Sequence, residues 1–436
     1  MAKEQKGVGF WSATSIGIGG MVGGGIFAVL GLAVQLAHGG TPVAFFLAGL
    51  VAFVTAYSYA RLSVAYPSQG GTVEFINQAF GSGVFTGGIN ILLWLSYIVM
   101  LSLYAYAFGS YGSHLLPEGW QVVGKHVLIS GIILLLTVLN LLGSSTVGEA
   151  EEWIVGFKVL ILLVFIAVGL WTVQGSSLAP ASWTGVPRLV AGGMIIFLAY
   201  EGFELIANTA QDIRNPSTTL PRAFYTSVLF VIALYILVSL VTVGNLSVAK
   251  IVAAKDYALA EAATPFLGNT GFTLITIAAL LSTGSAINAT LYGTARVSYI
   301  IAKDGELPAQ LERKKWRQPV EGLFITSAMA LVVSNLFDLS NISLMGSAGF
   351  LLVFSAVNAA NYKLRSHTGS RPWIAILGAA ACLGAFGALI WHQIRSAPAS
   401  IWFLVVMLAF SILAELIYRG STGRSIRPKL TEAKTD

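Results

Sequence analysis

Apolar residues run along this chain in stretches too long and too uniform for the buried stripe of a soluble helix. Windows of about 20 apolar residues, the length that crosses a hydrocarbon core about 30 Å thick, recur at 10–37, 41–65, 83–113, 126–143, 151–174, 188–211, 221–244, 268–301, 320–337, 341–362, 373–393 and 400–418. Polar positions gather between them and carry turn and helix-start residues: His38-Gly39-Gly40 before Thr41-Pro42, Tyr66-Pro67-Ser68-Gln69-Gly70-Gly71, Asn215-Pro216 and Leu220-Pro221. Proline in a first helical turn forfeits no intrahelical bond, so Pro42 and Pro221 mark helix starts. Thr72 to Phe80 is a short amphipathic stretch, and residues 245–267 form a polar loop containing Pro265. No linker is long enough to set apart a soluble domain. The pattern predicts an all-α integral membrane protein of about twelve transmembrane helices.

Two of these spans are interrupted. The first holds Gly19-Gly20-Met21-Val22-Gly23-Gly24-Gly25-Ile26-Phe27, five glycines in nine residues. Glycine inside a helix costs roughly 0.5–1 kcal/mol relative to alanine, so the cluster predicts a break. Irregular backbone at membrane depth survives where it is enclosed by protein or lines a cavity, and here it predicts a site for a small zwitterion. Close packing of helix backbones, which Gly19-xxx-Gly23 spacing also permits, accounts equally well for the first cluster alone. The sixth span carries the second interruption, Phe197-Leu198-Ala199-Tyr200-Glu201-Gly202-Phe203-Glu204, with two acids. Interrupted spans at corresponding positions of two five-helix blocks point to an inverted-repeat secondary transporter with a midplane site. N–H groups opening the outer half-helix would face a carboxylate, and freed carbonyls would accept from an ammonium.

Composition agrees with the pattern. The 436 residues are 56% hydrophobic and 10% charged, with mean hydropathy +0.78, too little charged surface for a soluble chain of this size. The formal charge of +6 reflects topology. Of the Lys and Arg residues, eighteen fall on the side of the N terminus and five on the other, with Lys158 and Arg296 inside spans. The positive-inside rule then makes both termini cytoplasmic in a multi-pass protein of the plasma membrane. The basic run Arg313-Lys314-Lys315-Trp316-Arg317 reads as a topology signal and lipid-headgroup contact, not a nucleic-acid patch. Lys3 and Lys6 precede the first apolar stretch as in a signal peptide, but that stretch continues to Ala37 without a small-residue cleavage site, which predicts a retained span. Cys382 is the single cysteine and the five histidines are scattered, so no disulfide, thiolate cluster or metal-ligating helix pair is supported. No metal or other cofactor is expected. Nothing resembles a nucleophile–base pair, and the glycine run lacks the strand-to-helix setting of a nucleotide site; an enzyme is not expected.

Ionisable residues within spans are the remaining candidates. Lys158 lies six to eight residues into the fifth span, about 9–12 Å at 1.5 Å per residue. It either snorkels to the interface or is buried, where an ammonium is costly without partners. A buried lysine that takes up and releases a proton would couple proton movement to transport, its ammonium replacing a sodium ion among spans 1, 5 and 8. The carbonyl of Gly19 and the side chains of Ser282, Thr283 and Ser285 would be its partners. Glu201 and Glu204 are either functional, Glu204 in proton coupling, or are held structurally by N–H groups of the break. Glu149, Glu151 and Glu152 suit the positive end of the fifth helix. Arg296 reads as a cytoplasmic-end residue of span 8. Phe197, Tyr200 and Phe203 are aromatic gate candidates.

Four stretches in order resemble the amino acid-polyamine-organocation transporters: Gly20 to Phe27, Tyr66-Pro67 with Gly70-Gly71, Phe197 to Glu204 followed by Asp212 to Ala223, and Tyr299 to Pro308. The resemblance covers nearly the whole chain and extends to the family's proton-coupled members. It implies a LeuT-type 5+5 inverted repeat, residues 10–174 and 188–362, followed by two C-terminal helices in 373–418, with cytoplasmic tails at 1–9 and 419–436. It implies proton symport of amino acids with broad specificity and sodium independence. The implied substrate site takes in Met21, Val22, Gly23, Gly24, Gly25, Phe197, Leu198, Ala199 and Glu201. The carboxylate would meet Gly23 to Gly25, and the ammonium would meet the carbonyls of Met21, Leu198 and Glu201. The implied partners are an amino-acid substrate and the lipid bilayer, with no nucleic acid and no obligate protein partner. Three positions depart from the family pattern: Gly24 stands where many relatives have Ser, Val73 where many are aromatic, and Glu201 where many are neutral. Amino-acid exchange without net proton flux stands as the alternative, and a scaffold or sensor without transport is the reading from another class.

Overall fold

The glycine run divides the first span into α1 (Phe10–Met21) and α2 (Gly25–Ala37), whose axes differ by 45°. The sixth span divides in the same way. Helix α8 (Val186–Ile195) gives way to 3₁₀ turns at Phe197–Tyr200 and Phe203–Asp212, with a bend of 47°. The computed structural model describes residues 7–142, 147–303, 305 and 320–422, with the side chains of 147–152 and 421–422 also outside the description. Lys3, Lys6, the Arg313–Arg317 run, most of the stretch after Lys303 and the acids Glu149, Glu151 and Glu152 therefore lie outside the described residues.

Between and after the broken spans come α3 (Thr41–Ala65), the short α4 (Thr72–Phe80), α5 (Val84–Ser113), α6 (Gln121–Leu141) and α7 (Val147–Gly169). The second half continues with α9 (Pro216–Asn245), α10 (Val248–Ala253), α11 (Ala258–Lys303), α12 (Val320–Leu336), α13 (Leu339–Lys363), α14 (Pro372–Ser396) and α15 (Ile401–Thr422). Among the described residues, nine stretches are long and apolar enough to span a bilayer alone, the two bent pairs do so jointly, and α12 is a shorter apolar helix. The protein is an all-α membrane protein, and each of the twelve expected spans has a helical counterpart.

Two boundaries differ from expectation. Residues 245–267 are largely helical: α10 occupies part of them, and α11 begins at Ala258 and bends at Gly268, where φ is +61°. Pro265 falls within the second turn of α11 and does not stop it. Helix α9 starts at Pro216, five residues before Pro221, because Asn215 takes the left-handed conformation (φ 49°) and its carbonyl accepts from the N–H groups of Thr218 and Thr219.

Helices α5 and α13 are almost wholly enclosed, whereas α6, α14 and α15 are mostly exposed. Most of the exposed large side chains on those outer helices are apolar, among them Val127, Leu134, Ile376, Leu383, Val406 and Ile417. Such a surface suits lipid and leaves polar groups to pair inside. Asn358 on α13 accepts from Ser58 Oγ at 2.7 Å and donates to Thr55 Oγ1 at 3.1 Å, joining α13 to α3. Its carboxamide also fills the space above Gly378 on α14.

Candidate functional site at the two breaks

The two interruptions touch. A Cβ on Gly20 would lie 2.7 Å from the Gly202 carbonyl oxygen, and one on Gly25 would lie 2.7 Å from Ala199 Cα. Gly202 sits at φ +114°, a conformation that side chains rarely adopt. Helix breaking and close packing, the two readings of the glycine cluster, are thus one arrangement: the chain turns where the backbones meet.

Side chains brought in by other helices satisfy the backbone freed at the breaks. Tyr235 on α9 donates its hydroxyl to the Met21 carbonyl at 2.7 Å and to the Ala199 carbonyl at 3.1 Å, bridging both breaks. Ser282 on α11 donates to the Val22 carbonyl at 2.7 Å and also contacts the Gly23 carbonyl. Ser347 on α13 accepts from the Leu198 N–H at 3.0 Å and donates to the Ile195 carbonyl at 2.8 Å. Buried backbone without such partners is expensive in lipid. Tyr235→Phe removes the shared donor and is expected to lower stability by about 1–3 kcal/mol, read as a lower melting temperature of the purified protein in detergent.

Lys158 projects from α7 into this region with 1% of its surface exposed, and its Nζ donates to the Gly19 carbonyl at 3.0 Å. Val155, one turn earlier on α7, packs against Gly19. Thr283 turns its hydroxyl back to the Ala279 carbonyl of its own helix at 2.6 Å, and Ser285 is half-buried. Glu204 is buried and accepts from Tyr97 Oη at 3.1 Å through Oε1 and from the Gly202 N–H at 2.8 Å through Oε2. Oε1 thereby ties the break to α5, and Oε2 closes the turn of the break on itself. The Glu201 carboxyl lies beside that of Glu204, with Glu201 3% exposed.

A cavity of about 880 Å³ leads to this point from the face that carries the N terminus. Its outer part is lined by Trp11, Gln69, Arg214 and Arg296, and its deep end by Gly19, Gly20, Tyr97, Tyr104 and Glu201. Arg296 is held at the mouth by donating to Gln69 Oε1 at 2.7 Å. The segment before α1 is clipped alongside: Val8 N–H donates to the Asp212 carbonyl at 2.7 Å, and Arg214 N–H donates to the Val8 carbonyl at 3.0 Å. Of the residues expected to meet substrate, Glu201 borders this cavity. Met21, Val22, Gly23, Gly24, Gly25, Phe197, Leu198 and Ala199 are buried just beyond it, with the Tyr104 ring lying over Gly24. Tyr200 and Phe203 are also buried away from the cavity, Tyr200 donating to the Phe45 carbonyl at 2.9 Å.

The opposite face is closed. Lys125 on α6 pairs with Asp256 at 2.9 Å and lies 3.7 Å from the centre of the Tyr106 ring, while Tyr106 donates to Asp256 at 3.1 Å. Lys255 donates to Ser340 at 2.9 Å, and its backbone packs on Gly31 of α2. None of Tyr235, Lys125 and Asp256 stood out in the sequence. The available signal was a tyrosine in the middle of an apolar span, since a buried phenol hydroxyl usually finds a partner.

The amino acid permease family model matches residues 8–418. The chain belongs to the amino acid permease family. This permease is 37% identical to an uncharacterised protein of Methanocaldococcus jannaschii, over 98% of both chains. It is 34% identical to the inner membrane transport protein YbaT of Escherichia coli, over 96% of this chain and 98% of that one. The branched-chain amino acid permease BcaP of Lactococcus lactis is 27% identical over 90% of each chain. The family is one of transporters, not enzymes.

Proposed function

We propose that this permease is a secondary active transporter that imports amino acids across the plasma membrane by proton symport, with broad specificity and without sodium. The observation that carries the proposal is the Lys158 ammonium 3.0 Å from the Gly19 carbonyl, at the inner side of the first break. A cation fixed on a carbonyl there takes the place a sodium ion would fill, and a lysine can give up its charge where sodium cannot. Backbone groups at the breaks ignore the substrate side chain, which favours breadth. A cavity open to one face while the other is latched supports alternating access around a midplane site, with the N-terminal face cytoplasmic. The two five-helix blocks, 10–174 and 188–362, would move against each other around it, with 373–418 outside the repeat. The BcaP relative supports amino acids as the substrate class.

The test is uptake of labelled amino acids into sodium-free liposomes holding the purified protein, with and without an inward proton gradient. Accumulation driven by the gradient is the expected result. Counterflow indifferent to the gradient would instead identify an exchanger.

The closed face has its own expected result. Partly exposed ion pairs contribute about 0.2–1 kcal/mol, so Asp256→Asn should make local opening about 1.5- to 5-fold more frequent. Hydrogen exchange of residues 250–258 reads this directly, with α5 amides as the unchanged reference.

A further inference from the structure

We infer that the substrate's α-ammonium is received by the side-chain carboxylate of Glu201. This rests on the amino-acid reading above and names which group of that site makes the contact. Several carbonyls at the breaks already accept a hydrogen bond. Tyr235 donates to those of Met21 and Ala199, Ser282 contacts those of Val22 and Gly23, and the Glu201 N–H donates to the Leu198 carbonyl at 3.2 Å. The Gly19 carbonyl accepts from Lys158. The residues contributing these carbonyls other than Gly19 also lie behind the wall of the cavity, not on it.

The Glu201 carboxyl is hydrogen-bonded to that of Glu204, but Glu201 lies on the cavity wall itself. It follows the 3₁₀ turn Phe197–Tyr200 in extended conformation (φ −65°, ψ 150°), which ends the turn and sets Glu201 on the wall at the deep end of the cavity. Glu201 is itself 3% exposed, so a ligand meeting its carboxylate leaves water behind. Its neighbour Glu204 has both oxygens committed, to Tyr97 and to the Gly202 N–H. Two carboxyl groups side by side away from water need a proton or a cation between them. A primary ammonium supplies that cation together with up to three N–H donors. Charge-assisted hydrogen bonds of this kind are about twice as strong as neutral ones. Tyr97 and Tyr104 border the same end of the cavity, giving the substrate's remaining atoms an aromatic wall.

The experiment compares substrates with and without the ammonium. Wild-type protein and Glu201→Gln, Glu201→Asp and Glu201→Leu variants in nanodiscs are titrated with L-leucine, L-alanine, their desamino analogues 4-methylpentanoate and propionate, and the other standard amino acids. Binding is read as a ligand-induced shift in melting temperature and by calorimetry. The wild type is expected to favour each amino acid over its desamino analogue by tenfold or more. Glu201→Gln, nearly the same shape, is expected to weaken amino-acid binding about tenfold or more while leaving the analogues unchanged, so that the ratio approaches one. Glu201→Asp should keep part of the preference. Wild-type binding of the desamino acids equal to that of the amino acids overturns the inference without any variant, as does full discrimination surviving in Glu201→Gln. Binding confined to L-lysine and L-arginine also overturns it, because the carboxylate would then serve a side chain. Failure of the wild type to bind any amino acid overturns the transport reading itself, an outcome distinct from the others.

Discussion

Lys158→Ala is expected to abolish proton-driven accumulation in sodium-free liposomes, lowering it at least about tenfold toward the level reached without a gradient. Two changes combine in this variant. The Gly19 carbonyl loses the donor that Lys158 provides at 3.0 Å, and the proposed proton carrier is gone. Lys158→Arg separates them. An arginine keeps a positive charge near the carbonyl but does not release its proton, so it should preserve the fold and still fail to couple. Counterflow of labelled amino acid, which needs no net proton movement, provides the contrast. If Lys158→Arg accumulates substrate as the native protein does, the lysine is a structural strut and proton coupling lies elsewhere.

The second large effect belongs to Gly202. Its φ of +114° and the nearness of Met21 N, 2.7 Å from where a Cβ would stand, leave no room for a side chain. Backbone strain of about 1–3 kcal/mol and overpacking of about 1–3 kcal/mol should act together in Gly202→Ala. The expected outcome is a clearly lower melting temperature and little or no transport. Gly131→Ala on α6 is the reference, since a Cβ there meets nothing within 4 Å; it should be neutral or slightly stabilising, as alanine outranks glycine in a helix. Equal stability of the two variants would mean that the breaks do not depend on contact with each other.

The features legible in the sequence were those with a local cause. Apolar windows placed the spans, and glycine frequency located the first break. Lys158 drew attention because a charge inside a span must find a partner, and the family resemblance pointed to Gly19 as one. Features set by distant segments were not legible. Tyr235 lies in an ordinary apolar stretch, and its position across Met21 and Ala199 depends on how α9 crosses both breaks. Glu204 is fixed by Tyr97 from another helix, which no spacing in the chain announces. The polar character of 245–267 suggested a loop, yet α10 and the first turns of α11 form there, packed over α2 at the closed face. The inner half of the sixth span is 3₁₀ rather than α, although its composition suits either. Glycine counting located the break but did not reveal that the cavity stops at Gly19, Gly20 and Glu201, short of Gly23 to Gly25.

The clip between Val8 and the Asp212–Arg214 backbone also governs how the molecule can be handled. Gly7 to Ser12 form part of the cavity mouth, and Arg214 secures Gly7 through a further bond from Nε at 2.6 Å. A folded tag fused directly ahead of Gly7 would therefore sit across the passage into that cavity. The same tag fused beyond α15, which contributes nothing to the cavity wall, leaves that passage clear.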